Sequence, residues 1–120
     1  MTATAALYAY FNNFMTSYPT TAVPDDTVFP WLTYEVVTGR FGDLPAGITV
    51  NMWFRTDSES VPNQKAEELR DYIEKNDLIK CDSGYIWVKP GSPWAQSLTD
   101  DTDPFIKRRY INMTLEFLTR

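Results

Sequence analysis

The residues best suited to chemistry form two clusters of opposite charge near the end of the chain. Only three residues separate the last carboxylate of one cluster from the first cation of the other. The cluster residues are Asp100, Asp101, Asp103, Lys107, Arg108 and Arg109. Grouped carboxylates can bind a hard cation, and grouped cations can bind phosphate. However, the acidic spacing lacks the turn glycine and distal glutamate of a calcium loop, and no glycine-rich loop accompanies the cations. The acidic cluster therefore favours a solvated loop, and the basic cluster favours a strand end that its charges protect from pairing with other strands. Alternatively, the two clusters form an ionic contact between chains.

Histidine is absent from the 120 residues, and Cys81 is the single cysteine. Histidine is the commonest general base and the commonest metal ligand in proteins. Cys81 lies in a predicted turn without a histidine to activate its thiol, so a nucleophilic role is disfavoured. We therefore expect no enzymatic activity, no cofactor and no metal site, and we expect Cys81 to serve packing.

Length and charge limit the class of protein. A chain of 120 residues fits one domain, residues 1–120. The net charge of −5 disfavours general binding to nucleic acid, because phosphate repels it at long range. The first twenty residues carry no basic leader, and no apolar run approaches the roughly 20 residues of a membrane span. We expect a soluble protein made in a reducing compartment.

Two segments have the periodicity of amphipathic helices. In residues 4–17, apolar side chains recur at helical spacing from Leu7 to Met15, and Thr2 or Thr4 is expected to cap this helix. The second helix is predicted within residues 57–75, with Pro62 in its first turn. Residues 18–30 contain three prolines and no periodicity, so they are predicted to form an extended loop.

Four segments are predicted as strands: residues 31–41, 48–56, 85–89 and 105–119. The second alternates sharply, because its even-numbered residues from Ile48 to Phe54 are apolar and its odd-numbered residues are polar apart from Trp53. The expected fold class is α+β, in the order α-β-β-α-β-β. The expected architecture is a mostly antiparallel sheet of four or slightly more strands, with both helices packed on one face.

Trp53 and Tyr110 fall on the polar parity of their strands, together with Arg55 and Arg108. A large aromatic side chain on a polar sheet face is costly to leave in water. Aromatic residues combined with arginine have the composition of an interface core. We therefore expect this sheet face to meet another molecule, whereas the other three tryptophans are expected to lie mostly in the core.

The chain resembles a family of small structural proteins of tailed bacteriophages, encoded among the head–tail joining genes and labelled minor capsid or tail-completion proteins. The similarity lies in "FPWLTYEVV" after a short helix, "ITVNMWFRT", a second helix, "GYIWVKPGSPWAQSL" and a terminal "IKRRYINMTLEFL". These stretches cover nearly the whole chain. The resemblance implies a tail-terminator-like fold, a mostly antiparallel sheet flanked by helices, that assembles as a hexameric ring.

The resemblance also implies a place and a set of partners. Such a ring is a virion component at the tail–neck junction, assembled in the cytoplasm of the bacterial host. It caps the tail tube and offers the docking surface for the head and neck, so its expected partners are further copies, the tail-tube protein and neck connector proteins. No membrane is expected as a partner, and DNA is expected only as cargo passing through the channel. Two alternatives stay open: another head–tail joining part, such as a head-closure or tail-tube subunit, and a small nucleic-acid-binding module.

A cyclic ring joins two different patches on neighbouring copies. Separated acidic and basic clusters suit such a contact, because charge complementarity fixes its register. Surface ion pairs contribute only about 0–1 kcal/mol each, so most of the affinity is expected from aromatic side chains. The proposed interface residues are Trp53, Arg55, Asp100, Asp101, Asp103, Lys107, Arg108, Arg109 and Tyr110.

Overall fold

A computed structural model describes residues 1–37, 46–82, 84–99 and 103–119 of the chain. These ranges hold two helices and six strands. In chain order they are α1 (Ala3–Phe14), β1 (Ser17–Pro19), β2 (Trp31–Val37), β3 (Ala46–Arg55), α2 (Ser60–Lys75), β4 (Leu78–Cys81), β5 (Gly84–Thr99) and β6 (Ile106–Thr119). Neither helix in these ranges is long and apolar enough to span a lipid bilayer.

The six strands form one mixed sheet in the order β1-β2-β3-β6-β5-β4. Strands β1 and β2 are parallel, and the other neighbours are antiparallel. The α+β class is confirmed. The prediction of a mostly antiparallel sheet of four or slightly more strands, in the order α-β-β-α-β-β, is corrected to six strands in the order α-β-β-β-α-β-β-β. Two short strands, β1 and β4, join the predicted set, and the parallel β1–β2 pair makes the sheet mixed.

Strand β5 is longer than the predicted residues 85–89, because it continues through the "PGSP" stretch at residues 90–93. Its pairing with β6 holds on both sides of a register irregularity between Pro90 and Ala95. Proline interrupts the hydrogen-bonded ladder at an edge, but it does not prevent the chain from rejoining the same neighbour after a bulge.

Both helices lie on the same face of the sheet. The Phe11 ring of α1 stacks on the Tyr34 ring of β2, with centroids 4.8 Å apart. On α2, the Asn63 side chain accepts a hydrogen bond from Arg109 of β6. Tyr34 and Arg109 share a sheet face, because Tyr34 is paired with Val50 and Arg109 with Met52, two residues further along β3. Helix α1 also contacts β1 and β4, the strands at opposite edges, so the sheet curls around it.

The core fills the space between the helices and the curled sheet. Alternate residues of β3 are buried against the helices, as the predicted alternation requires. We call the other side of the sheet, which no helix covers, the convex face. At the start of α1, the Thr2 hydroxyl accepts the Ala5 N–H at 3.1 Å and caps the helix as predicted. The core side chains with no exposed surface are Phe11, Leu32, Val50, Met52, Leu69, Ile73, Ile86, Ile111 and Leu115.

Gly91 lies in the irregular part of β5, against the backbone of β6. A Cβ atom added to Gly91 would lie 2.6 Å from the carbonyl oxygen of Asn112. Because the obstacle is backbone, no side-chain rotation relieves it. We expect Gly91→Ala to lower the free energy of unfolding by about 1–3 kcal/mol in chemical denaturation. The neighbouring exposed substitution Ser92→Ala should change it by less than about 0.5 kcal/mol, and equal losses for the two variants would contradict this close approach.

Candidate subunit interface

A row of side chains crosses four strands on the convex face. Trp31, Trp53, Arg108 and Leu98 are cross-strand neighbours on β2, β3, β6 and β5, and all four are partly exposed. The rings of Trp31 and Trp53 stack with centroids 5.2 Å apart and an interplanar angle of 12°. The guanidinium carbon of Arg108 lies 5.0 Å from the centroid of the Trp53 ring. We call Trp31, Trp53 and Arg108 the tryptophan–arginine patch.

Several contacts hold this patch in one arrangement before any partner arrives. Stacked aromatic rings and a cation over a ring face are each favourable by about 0.5–1.5 kcal/mol. The indole Nε1 of Trp53 donates a long hydrogen bond to the Thr33 hydroxyl at 3.5 Å. A side chain that is already ordered loses less conformational entropy on binding, so the patch is suited to act as an anchor.

Tyr110 lies in the next row of the convex face, between Asn51 and Gln96. It is partly exposed, and the side-chain oxygen of Asn51 beside it is buried without a hydrogen-bond partner among the described residues. Trp53 and Tyr110 therefore both lie on the helix-free face, where the strand alternation places them. Trp31 joins them there, although the sequence interpretation assigned it mostly to the core.

Arg55 and Asp103 form an ion pair within the chain. The Arg55 Nη1 donates to Asp103 Oδ2 at 2.5 Å, and Asp103 Oδ1 accepts the Phe105 N–H at 2.9 Å. The Arg55 side chain remains 56% exposed, whereas that of Asp103 is 24% exposed. Arg55 thus keeps most of its surface available to a partner. Asp100 and Asp101, the other proposed acidic residues, lie outside the described residues.

Arg109 points to the helix side of the sheet and is only 2% exposed. Its Nε and Nη2 atoms donate to the Asn63 Oδ1 at 3.1 and 2.8 Å. Its Nη2 atom also donates to the carboxylate of Glu59, immediately before α2. A buried guanidinium needs such partners, because an unpaired buried charge is strongly destabilising. Arg109 is thus enclosed by its own subunit and does not enter the proposed interface.

Lys107 shares the parity of Arg109 and also makes contacts within the chain. Its Nζ atom donates to the carbonyl oxygen of Pro104 at 2.6 Å and lies 4.0 Å from the Glu59 carboxylate. Arg108, with the opposite parity, is the member of the basic cluster that lies on the convex face. The basic cluster is therefore divided between the two faces of β6.

The hydrogen bond from Arg109 lowers the pKa of Glu59 below its ordinary value. Because the folded-state pKa lies below the unfolded-state pKa, the carboxylate stabilises the fold above its unfolded pKa. This contribution is lost as the pH falls through the folded pKa. Glu59→Gln removes the titrating group and keeps an acceptor oxygen. We therefore expect this variant to lose less stability than the wild-type chain as the pH falls from about 5 to about 3.

Urea unfolding at a series of pH values measures this difference. Glu67→Gln, at an exposed position of α2, is the control for the loss of one negative charge. Wild-type and Glu59→Gln curves that fall in parallel with acidification would contradict a role for the Glu59–Arg109 contact.

A second group of side chains on the convex face lies at the other end of the sheet. We call it the apolar end patch, and it consists of cross-strand neighbours: Leu78 beside Trp87, and Tyr85 beside Leu118. Their exposed fractions are 55%, 37%, 45% and 39%, in that order. Large exposed apolar groups that adjoin one another are typical of interaction surfaces.

Sequence interpretation missed the apolar end patch, because Trp87 was expected to lie mostly in the core. The signal was present in the alternation of residues 85–89, where Ile86 and Val88 are buried and Tyr85 and Trp87 are exposed. Lys89 completes the exposed parity: its Nζ lies 3.8 Å from the Trp87 ring centroid.

A cleft of about 440 Å³ lies between the helices and β4, away from the tryptophan–arginine patch, and Leu78 of the apolar end patch forms part of its lining. Two of its polar side chains are hydrogen-bonded within the chain, since Asn13 Nδ2 donates to the Tyr72 hydroxyl at 3.3 Å and that hydroxyl donates to the Tyr10 carbonyl at 2.7 Å. The buried Tyr10 hydroxyl has no hydrogen-bond partner among the described residues. Among the residues described, no group of three or more potential metal ligands comes together. The convex face is therefore the best candidate for a functional surface.

The convex face has the composition of a protein-binding surface. Tryptophan, tyrosine and arginine are the residues most enriched at the centres of protein interfaces, and here the chain's own helices leave them uncovered.

A scan against protein-family models finds no match to this chain, and a search of curated proteins likewise finds none.

Proposed function

We propose that the chain is a structural protein of a tailed-bacteriophage virion that forms a ring at the tail–neck junction. In this role it caps the tail tube and provides the docking surface for the head and neck. Two arguments support the proposal: the resemblance of its strand segments to tail-completion proteins, and the uncovered convex face. The observation that carries it is the tryptophan–arginine patch on that face.

A ring subunit needs at least two different contact surfaces, because a cyclic interface joins unlike patches on successive copies. The convex face offers two candidates, the tryptophan–arginine patch and the apolar end patch. Arg108 and Leu118 lie in these patches, ten residues apart on β6, which corresponds to about 33 Å along the strand. Two surfaces at this separation allow one chain to contact two neighbours at once.

The charged residues have unequal parts in the proposed interface. Arg108 is the strongest cationic candidate, since it lies on the convex face beside Trp53. Arg55 is exposed enough to contact a neighbour while it stays paired with Asp103. Lys107 already has partners within the chain, and Asp100 and Asp101 remain candidates on the sequence alone. Charge pairing in such a ring fixes register, and the aromatic side chains supply most of the affinity.

Light scattering coupled to size-exclusion chromatography tests the proposal directly. We expect a discrete ring-sized oligomer, or tubes at high protein concentration, and ring-shaped particles by negative-stain electron microscopy. If the ring requires a tail as its template, the purified chain is instead expected to bind the ends of assembled tails in electron micrographs. A chain that stays monomeric and does not bind tail ends would contradict the proposal.

The alternative in the same class is another head–tail joining part, a head-closure or tail-tube subunit. Immunogold labelling of intact virions separates these roles by position. The proposed role places the label at one point, where the tail meets the neck. Labelling along the whole tail would identify a tube subunit, and labelling at the head vertex would identify a head-closure protein.

A small nucleic-acid-binding module is favoured by one observation. Arg108 over a stacked tryptophan pair resembles the platforms on which unpaired bases stack. The net charge of −5 opposes this function, because affinity for nucleic acid depends largely on contacts between cations and phosphates. Quenching of tryptophan fluorescence by a single-stranded oligonucleotide, with affinity that falls steeply with salt, would favour the module over the ring.

A further inference from the structure

The outer edge of β5 changes character along its length. Residues 84–87 pair with β4, and the Val88 N–H donates to the Asp77 carbonyl at 2.8 Å. Residues 89–94 contain two prolines and the register irregularity, features that blunt an edge strand. Residues 95–99 then pair regularly with β6 on their inner side, and no strand in the described part of the chain pairs with their outer side.

The open segment at residues 95–99 lacks the usual protection of an edge strand. Its sequence, Ala-Gln-Ser-Leu-Thr, has no proline and no charged residue, and Gln96 and Ser97 are exposed. Backbone N–H and C=O groups on such an edge alternate toward the outside at strand spacing. The chemistry that satisfies them is another extended backbone.

The opposite edge of the sheet is partly covered by the chain itself, since β1 pairs with residues 32–34 of β2 and no described strand pairs with the outer side of residues 35–37. At β1, the Asn12 side chain accepts the Ser17 N–H at 3.1 Å and donates to the Ser17 carbonyl at 3.2 Å. Pro19 has no N–H, and its carbonyl accepts the Ala22 N–H at 2.9 Å. A head-to-tail pairing of sheets would need a second open edge. β1 does not supply one, and the uncovered end of β2 is only three residues long and carries the charged Glu35, so it is a poorer edge than residues 95–99.

We propose that residues 95–99 are a strand-pairing site for a second copy of this chain, with the two β5 edges antiparallel about a twofold axis at Ser97. Pairing the same edge with itself needs no second open edge, and it makes the contact self-complementary. In this arrangement Ser97 lies opposite its counterpart, and Ala95 lies opposite Thr99. Two six-stranded sheets then continue into each other.

This contact goes beyond the proposed ring and uses a different surface. A cyclic ring joins unlike patches on the convex face, whereas the edge contact joins identical strands. It can link two free copies, or two rings face to face. Leu98 of this segment adjoins Arg108, but Ser97 is paired with Arg109 and has the opposite parity, so Ser97 can be substituted without changing the tryptophan–arginine patch.

Charge substitution at Ser97 tests the edge contact with purified protein. Two lysines facing each other across the axis repel, so Ser97→Lys is expected to raise the Kd of self-association about tenfold or more. Ser97→Glu alone should weaken association likewise, whereas an equal mixture of the two variants should restore at least wild-type affinity. Sedimentation analysis over a range of concentrations measures these affinities.

Ser92 gives a matched control, since it is an exposed serine of the same strand in the proline-containing part. Ser92→Lys is expected to associate like the wild-type chain. In a second measurement, Ser97→Cys should form an intermolecular disulfide under mild oxidation and Ser92→Cys should not. Circular dichroism checks that each variant is folded.

Three results would overturn the edge contact: unchanged association of Ser97→Lys, no recovery in the mixture, or equal cross-linking at positions 92 and 97. The proposed ring is judged separately by Trp53→Ala. Loss of association in Ser97→Lys but not in Trp53→Ala supports the edge contact and counts against a ring built on the convex face. The reverse pattern supports the ring and rejects the edge contact.

Discussion

Trp53→Ala is expected to leave the chain folded and to abolish the proposed assembly into rings. The side chain lies on the convex face and is partly exposed, so its removal opens no cavity in the core between sheet and helices. The fold loses the stacking on Trp31 and the contact with Arg108, a cost of about 1–3 kcal/mol in total. At the centre of an interface, truncation of a tryptophan anchor typically costs at least about 2 kcal/mol, or about thirtyfold in Kd per contact.

Two measurements on the same sample separate folding from assembly. The far-ultraviolet circular dichroism spectrum should match that of the wild-type chain, while light scattering should show smaller particles. Tyr8→Ala is the control, because Tyr8 is an aromatic residue of α1 with 45% of its surface exposed, away from the convex face. Rings that persist in Trp53→Ala, or rings lost equally in Tyr8→Ala, would contradict the assignment of the interface to the tryptophan–arginine patch.

Strand parity is the part of the site that the sequence predicts best. The even-numbered residues of β3 from Ile48 to Phe54 are buried, and Trp53 lies on the other face, as the alternation requires. A sheet with one covered face imposes this pattern on every residue of a strand, so a single out-of-place tryptophan is informative. The same reasoning applied to residues 85–89 would have identified the exposed side of Trp87.

Short strands were beyond the reach of pattern analysis. β1 has three residues and β4 has four, which is too few for an alternation to be distinguished from chance. Both form because a neighbouring strand and a helix hold them: β1 against β2 and α1, and β4 against β5 and α1. Their pairing is therefore a consequence of tertiary structure rather than of local sequence.

The fate of the basic cluster depended on a long-range contact. The alternation of β6 predicts that Lys107 and Arg109 lie on its otherwise apolar face. The nearby sequence does not show which acidic residue pairs with them. That partner, Glu59, lies 50 residues before Arg109 in the chain, where α2 begins on the sheet. A cation predicted on a buried face thus requires a hydrogen-bond acceptor that the local sequence does not reveal. Here the acceptor belongs to the same chain. Intermolecular pairing is thereby restricted to the cations that keep exposed surface.

This restriction separates two roles within one short stretch of β6. Arg109 stabilises the subunit by joining the sheet to α2, and Arg108 presents a cation on the convex face. Substitution of Arg109 therefore acts on folding first and on assembly only as a consequence. In the proposed ring, Arg108 is the position at which a charge change is expected to affect assembly more than folding.

Phe11→Ala is expected to cause the largest loss of stability among single substitutions in α1. Phe11 has no exposed surface, stacks on Tyr34 with ring centroids 4.8 Å apart, and meets the Tyr10 ring edge-on at 5.5 Å. Removing the aromatic ring of Phe11 leaves a cavity between α1 and β2, on the side where the sheet curls around α1. Phe→Ala substitutions in cores typically cost about 3–5 kcal/mol, which is a large part of the stability of a domain of this size.

Urea denaturation measures this loss as a shift of the unfolding midpoint at an unchanged slope. Phe105→Ala is the matched control, because Phe105 precedes β6 and is 49% exposed. It should lower the free energy of unfolding by less than about 1 kcal/mol. Similar losses for the two variants would contradict the packing of α1 on the sheet. That packing leaves the convex face as the free side of the molecule, so the location of the proposed interface depends on the same measurement.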